Sequence, residues 1–546
     1  DNGSQAPYEG ATPGASKRLP GDRCSSSNFG FSFLMQVTCR SSFDLVISQS
    51  SADSVVKLPA DRFYHDEHST THMESAPVFL ACTLIDVNLF DSSVFRMSKS
   101  ETEYVDPQQR LLLEVVLQSR RQECCSYLTK NKILTSALDR VGVYIGAAGS
   151  YYDDHWRELD LSGPYSATGE QRSVLCGRVS YTYGFIGESM TIDTACSASL
   201  VAMHVANLSL SKMDNERCLA GGVAMTVGKY SYNCLTWSRM LSTDGRCKTL
   251  DASADGYGRG ECCGVVHVSK DAPLETGASA VLMGSGVNQD GRSSSLTAPN
   301  GPSQQMLIAN TLRVSDALPA HIGQLEMHGT GTSLGDPIEV GAATAVLCPA
   351  SKGGNFRDTL VLEAAKSRIG HCETGAGIIG ITTAISRAGA VVVSPLRHLR
   401  TPNPHVNAVL DRLGDRDLGA CGSSTVAMHR QSMFRAVFSN DTEQGVSAQG
   451  MTSGVSGFAF QGTNAHALVH PPESARQVGT GDGMALRTWD RQRYWFAPPY
   501  HPMTEAAMKH QGGTFQMSIK LVTTVNKSPV LSELSDHVIS GNAILP

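Results

Sequence analysis

Short apolar runs that close on glycine alternate along this chain with segments whose apolar residues recur every three or four positions. Val141-Gly142-Val143-Tyr144-Ile145-Gly146 is a run of the first kind and predicts a buried strand ending in a glycine turn. Ser189-Met190-Thr191-Ile192 has strand composition, and small apolar residues follow at helical spacing through Val201, Ala202, Val205 and Ala206. The stretch between them, Asp193-Thr194-Ala195-Cys196-Ser197-Ala198-Ser199-Leu200, should therefore carry Cys196 where a strand turns into a helix. Asp106-Pro107-Gln108-Gln109-Arg110 opens another helix, with Asp106 as N-cap, Pro107 in the first helical position and Gln109 able to close a capping box. Leu111, Leu112, Val115 and Val116 supply its apolar face. A second strand–helix series begins near Ala280, with Asn288-Gln289-Asp290-Gly291 as a turn. Residues 375–393 form the most apolar segment, but Arg387 and several glycines and threonines point to a buried helix and a strand, not a membrane span. This alternation predicts an α/β fold of two similarly built halves, with parallel or mixed sheets.

Composition narrows the functional classes. With 546 residues the chain exceeds one ordinary domain, and 41% hydrophobic against 18% charged residues is ordinary for a globular protein. The formal charge of −6 argues against a general nucleic-acid or anionic-membrane binder. Fifteen scattered cysteines without C-x-x-C spacing read as reduced thiols, with no support for a thiolate metal site. The start, Asp1-Asn2-Gly3-Ser4-Gln5, has neither Met nor an apolar run, so no targeting segment is visible and the chain reads as cut from something longer. A cytoplasmic or organellar location is the expectation.

Three further stretches bear on the chemistry of Cys196. A thiol at a strand-to-helix turn faces unpaired N–H groups and the helix dipole, which favour thiolate and can also stabilise an oxyanion. Glu326-Met327-His328-Gly329-Thr330-Gly331-Thr332 sets His328 among glycines and threonines after a strand. In Lys366-Ser367-Arg368-Ile369-Gly370-His371-Cys372-Glu373, His371 sits at the start of an apolar helix, where a neutral imidazole is favoured. Gly457-Phe458-Ala459-Phe460-Gln461-Gly462-Thr463-Asn464-Ala465-His466 reads as a glycine-bearing turn between apolar strands. Taken singly, each has a plain structural explanation: a packed cysteine, a satisfied histidine, a hairpin.

In combination, these motifs closely resemble the β-ketoacyl synthase (ketosynthase) domain of modular polyketide synthases and related fatty acid synthases. The likeness runs over residues 56–470 and includes Cys247-Lys248-Thr249-Leu250-Asp251, Ala254-Asp255-Gly256-Tyr257 and residues 287–303. It implies the thiolase fold, two α/β halves in a five-layer αβαβα sandwich, as a homodimer. It also implies a Cys196–His328–His371 site for decarboxylative Claisen condensation. Acyl chains would arrive on the phosphopantetheine of an acyl carrier protein, with no metal and no bound cofactor. Lys366 would orient the His371 neighbourhood, Glu373 would support it, Phe460 and Cys196 would give oxyanion N–H groups, and Thr330 and Thr332 would hold the pantetheine arm. The alternative is a non-elongating module that only docks or passes on carrier cargo.

The resemblance divides the chain into a divergent N-terminal segment (1–55), an N-terminal half (56–272), a C-terminal half (273–470), a linker (471–500) and a dehydratase-like start (501–546). In the first segment only Arg18-Leu19-Pro20-Gly21 is similar to the family's N-terminal strand and turn. The family's Phe-Gly-Phe-Gly-Gly turn reads Phe458-Ala459-Phe460-Gln461-Gly462 here, and Cys262 stands where a glycine is usual. A side chain at Ala459 or Gln461 would be costly if either position required positive φ. Trp489-Asp490-Arg491-Gln492-Arg493-Tyr494-Trp495 and His501-Pro502 resemble the entry to a polyketide synthase dehydratase, and residues 537–546 fit its HxxxGxxxxP pattern. His537 would be that domain's base, in a fragment that lacks the partner acid. The gap before it is too short for an acyltransferase domain, so extender units would be loaded in trans, or a segment has been lost.

Overall fold

The computed structural model describes residues 33–41, 54–58, 62, 79–123, 140–149, 152, 163–270, 280–348, 360–388, 396–416, 452–471, 490–494, 504–511, 514–521, 538–539 and 542–543. The strands are β1 (Phe33–Ser41), β2 (Val56–Lys57), β3 (Leu80–Cys82), β4 (Leu89–Phe90), β5 (Val141–Gly146), β6 (Ser189–Ile192), β7 (Arg217–Ala224) and β8 (Arg259–Gly260). They continue with β9 (Cys262–Ser269), β10 (Ala280–Gln289), β11 (Ile322–Glu326), β12 (Val361–Glu363), β13 (Thr452–Phe458), β14 (Thr463–His470) and β15 (Gln492–Arg493).

The main sheet has the order β12-β11-β13-β14-β10-β1-β9-β7-β5-β6, and that order contains a repeat. From the centre outward one half runs β1-β9-β7-β5-β6 and the other β10-β14-β13-β11-β12. Numbered within its own half, each is first, fifth, fourth, second, third. Directions repeat as well: β5 is parallel to β6 and β7, and β11 to β12 and β13, while β9 and β14 run antiparallel to their neighbours. The halves join where β1 and β10 pair antiparallel, Phe33 opposite Leu282. The similarly built halves expected from the alternating pattern are thus visible in topology although residue identities do not show them.

Helices lie in three layers around these strands. The Ala198–Lys212 and Ala376–Ala388 helices occupy the centre, with Leu200, Met203, Ile378 and Ile381 in one buried cluster with Val266 and Val455 from the strands. Outside the first half, Leu112 and Val116 of the Pro107–Glu123 helix pack with Val179 on Val143 and Ile145. Outside the second, Ile308 and Leu312 of the Gly301–Val314 helix pack with Val340 on Leu325. The central helices touch closely: a Cβ on Gly377 would stand 2.5 Å from Leu200 Cγ and 3.0 Å from Leu200 N. A Gly377→Leu substitution is expected to lower stability by about 3 kcal/mol, because a packed core has no space for added methylenes. A fall in the denaturant midpoint at unchanged m-value would report it.

One local expectation is corrected. Asp106 does cap its helix, Oδ1 accepting the Gln108 N–H at 2.7 Å, but no capping box forms. The Gln109 side chain donates to the Gly169 carbonyl (2.8 Å) and accepts from Arg178 Nε (2.6 Å), while the Asp106 N–H goes to Gly169 O (3.0 Å). The N-terminal segment, of which little was legible, contributes β1, which pairs with both β9 and β10. Residues 18–21 and His537 lie outside the described residues.

The 490–494 stretch returns to the first half. Gln492 pairs with Phe90 on β4, Arg491 forms a two-pronged ion pair with Glu114 (3.1 and 2.8 Å), and Arg110 donates to the Tyr494 carbonyl at 2.7 Å. Beyond it, Thr504–Gln511 and Thr514–Leu521 pair as an antiparallel hairpin. No helix among the described residues is long and apolar enough to cross a membrane.

Candidate active site

Cys196 stands where its flanking pattern placed it. β6 ends at Ile192, a 3-10 turn spans Ala195–Ser197, and the inner helix begins at Ala198. The second half repeats the device. β12 leads to a 3-10 turn at Glu373–Gly375 and the inner helix from Ala376, and the first residues of the two turns share positive φ, 52° at Ala195 and 42° at Glu373. His371 lies two residues before the second turn. Its backbone is strapped on both sides: its N–H donates to Gly258 O (2.6 Å) and its carbonyl accepts from Gly260 N–H (2.9 Å). The ring then reaches Cys196, with Nε2 3.0 Å from Sγ.

Which nitrogen of His371 carries the proton follows from its other contact. The Glu373 N–H donates to Nδ1 at 3.2 Å, so in the neutral ring Nδ1 is the acceptor and Nε2 carries hydrogen toward Cys196. Glu373 is itself fixed by buried Arg259, whose Nη2 donates to Oε2 at 2.9 Å and whose Nε lies 2.9 Å from Oε1. Tyr257 sets an edge against the His371 ring at 5.0 Å between centroids. His328 follows β11 and stands perpendicular to His371 at 5.4 Å. Its loop is held by two carboxylates from the start of the Gly335–Leu347 helix. Glu339 accepts the His328 and Gly329 N–H groups (2.6 and 2.8 Å), and Asp336 accepts those of Gly331 and Leu250 (3.2 and 2.8 Å).

Electrostatics correct one expectation. The helix start was to favour thiolate; instead burial pushes the Cys196 thiol up to about 12, with Glu373 adding to the rise. Lys366 and the N–H groups of Phe460 and of Cys196 itself pull the other way without prevailing. Both N–H groups expected at an oxyanion hole thus lie close enough to Sγ to favour its ionised form. Burial drives His371 and His328 well below the ordinary imidazole value, and Lys366 adds to both shifts. The neutral His371 read from its position is present, but burial rather than the helix end is its main cause. Burial also raises Asp336 to about 6 and Glu339 to about 8.

The other expected site residues cluster in the same place. Lys366 is buried and close enough to shift Cys196, both histidines, Asp336 and Glu339. The Thr330 and Thr332 hydroxyls face each other at 3.5 Å. Phe460 caps the β13–β14 turn with its ring half exposed. Among the described residues the Cys196, His328 and His371 ligand atoms lie within 4.8 Å of one another, a spacing a transition metal could span. However, Nδ1 of His371 accepts a hydrogen bond, where a metal-bound imidazole normally donates one. Sequence reasoning missed Arg259, Tyr257, Asp336 and Glu339 as supports, although all four lie in or beside the motifs that frame the site.

Two neutral imidazoles over a cysteine with two oxyanion N–H groups suit acyl transfer followed by stabilisation of an enolate. The pattern for Beta-ketoacyl synthase, N-terminal domain, matches residues 40–273, and that for Beta-ketoacyl synthase, C-terminal domain, matches 279–400. The chain belongs to the β-ketoacyl synthase family. That family comprises acyl-transferring condensing enzymes, the chain has the thiolase fold, and its relatives and structural neighbours are polyketide synthases and their ketosynthase domains. The chain is 36% identical over 395 residues to polyketide synthase GfsA of Streptomyces halstedii, covering 71% of this chain and 5% of that protein. It is 34% identical over 415 residues to the partially reducing polyketide synthase men1 of Menisporopsis theobromae, covering 72% of this chain and 15% of that one. The chain thus spans under a fifth of the length of these relatives. Among solved structures, the ketosynthase domain OzmH KS7 of Streptomyces albus oxazolomycin synthesis aligns with TM-score 0.66 at 28% identity, covering 81% of this chain and 75% of that one. The ketosynthase from module 6 of the Bacillus subtilis bacillaene synthase aligns at 0.65 and 25% identity, covering 81% and 72%.

Proposed function

We propose that this ketosynthase elongates a carrier-bound acyl chain by decarboxylative Claisen condensation. The observation that carries the reading is the 3.0 Å approach of His371 Nε2 to Cys196 Sγ. The Cys196 sulfur attacks the acyl thioester carbonyl, the Phe460 and Cys196 N–H groups hold the oxyanion, and the pantetheine thiol leaves with the cysteine's proton. A malonyl-type extender on the acyl carrier protein then loses CO2, and His371 Nε2–H and His328 stabilise its enolate oxygen. The enolate carbon attacks the acyl-Cys196 carbonyl; collapse breaks the C–S bond, releases the β-ketoacyl carrier and leaves a Cys196 thiolate, which takes up one proton from solvent. Thr330 and Thr332 would bind the pantetheine arm, and buried Lys366 would keep both imidazoles neutral.

Three further elements belong to this proposal. A homodimer is supported by β6, an edge strand of the sheet among the described residues, on which Met190 is exposed, with Tyr181 and Ile186 exposed shortly before it in the chain. Loading by a trans-acting acyltransferase is supported by the 490–494 stretch, which follows the ketosynthase with few residues between and docks back on it. The HxxxGxxxxP pattern supports a dehydratase start after it, with His537 as base.

Intact-protein mass spectrometry after incubation with an acyl thioester tests the first step. The wild type is expected to gain one acyl group, and Cys196→Ala none. An adduct that persists in Cys196→Ala would contradict the assignment.

A further inference from the structure

The turn that carries Phe460 is held by the residue beside it. Ala459 donates its N–H to Thr463 O (3.0 Å) and Gly462 donates to Ala459 O (2.7 Å), so Phe460 and Gln461 are the two central residues. Neither Ala459 nor Gln461 has positive φ; Gly462 alone in the turn does, at 93°. The side chains at 459 and 461 therefore carry no backbone strain, and that of Gln461 is used. Its Oε1 accepts the Thr463 N–H at 3.2 Å and its Nε2 donates to Thr463 Oγ1 at 3.2 Å. Its backbone carbonyl accepts from Gln289 Nε2 at 3.3 Å. The same corner is anchored again where the Asp290 N–H donates to Gly462 O (2.9 Å) and Asn464 Nδ2 donates to Asp290 Oδ1 (2.7 Å). A glycine at 461 would make neither side-chain bond and would add backbone freedom next to the N–H that faces Cys196.

We propose that Gln461 is a positioning residue: its side chain clamps the turn so that the Phe460 N–H stays directed at the reacting carbon–oxygen bond above Cys196. This rests on the reading of Cys196 as the acyl acceptor. Loss of an oxyanion donor outright costs about 10²–10³-fold in rate, so loosening one should cost about tenfold.

Single-turnover acylation by an acyl-N-acetylcysteamine thioester tests it. Wild type, Gln461→Ala, Gln461→Gly and Thr463→Val are compared, with rates normalised to the Cys196 thiols that iodoacetamide can titrate. The expected result is a maximal acylation rate about tenfold lower in both Gln461 variants, with half-saturation within about twofold of wild type. Thr463→Val, which loses only the Nε2–Oγ1 bond, should fall in the same direction by less, and it carries the test if a Gln461 variant does not fold. Variants that acylate as fast as wild type, or that lose half-saturation and keep the maximal rate, would overturn the inference. A wild type that takes no acyl group would instead overturn the assignment of Cys196, and this inference with it.

Discussion

His371→Ala should condense about 10²–10³-fold more slowly than the wild type while still forming an acyl-enzyme at Cys196. The size is that of losing one preorganised donor to a developing oxyanion. The ring is preorganised on three counts: strand-like bonds to Gly258 and Gly260, the Glu373 N–H on Nδ1, and the Arg259 pair that holds Glu373. Acylation draws its oxyanion stabilisation from the Phe460 and Cys196 N–H groups and should fall far less. Separate assays of acyl loading by mass and of CO2 release from a malonyl carrier protein would measure the split. Equal losses in both would place His371 in acyl transfer instead.

The second large effect is on pH. With the Cys196 thiol raised to about 12 and both imidazoles lowered well below 6.5, the resting site near neutrality is thiol beside neutral imidazole, not a thiolate–imidazolium pair. Thiolate then grows tenfold per pH unit. Iodoacetamide alkylation of Cys196 should rise about 100-fold between about pH 7 and pH 9 without a plateau. A plateau at neutral pH would show an ion pair. Stability has its own sign: histidines that titrate low when folded and normally when unfolded take up more protons in the unfolded chain, so their contribution is lost as pH falls below about 6.5.

The positions of Cys196 and both histidines were legible because each lies in a run whose neighbours fix the local fold. A strand before and small residues at helical spacing after Cys196 leave one place for the turn, and a glycine- and threonine-rich loop after a strand does the same for His328. What holds these residues was less legible, because it acts through backbone atoms. Glu339 works on the N–H groups of 328 and 329, and the Arg259 side chain holds Glu373, whose N–H reaches His371 Nδ1. Such contacts leave no periodicity in a sequence. The thiol's raised pKa was missed for a related reason: a helix end is visible in sequence, but the burial that outweighs it is not. Cys262 in a usual glycine position is accommodated because its sulfur lies against Gly375, which has no side chain to meet it.

The most direct test of elongation starts from isolated acyl-Cys196 enzyme, adds malonyl-loaded carrier protein, and reads both proteins by intact mass while trapping CO2. The expected result is loss of the acyl group from Cys196, one equivalent of CO2, and a carrier-bound β-ketoacyl chain two carbons longer than the starting acyl group. An acyl-enzyme that forms, returns its cargo to carrier protein and never extends it would contradict condensation and leave a transfer-only ketosynthase.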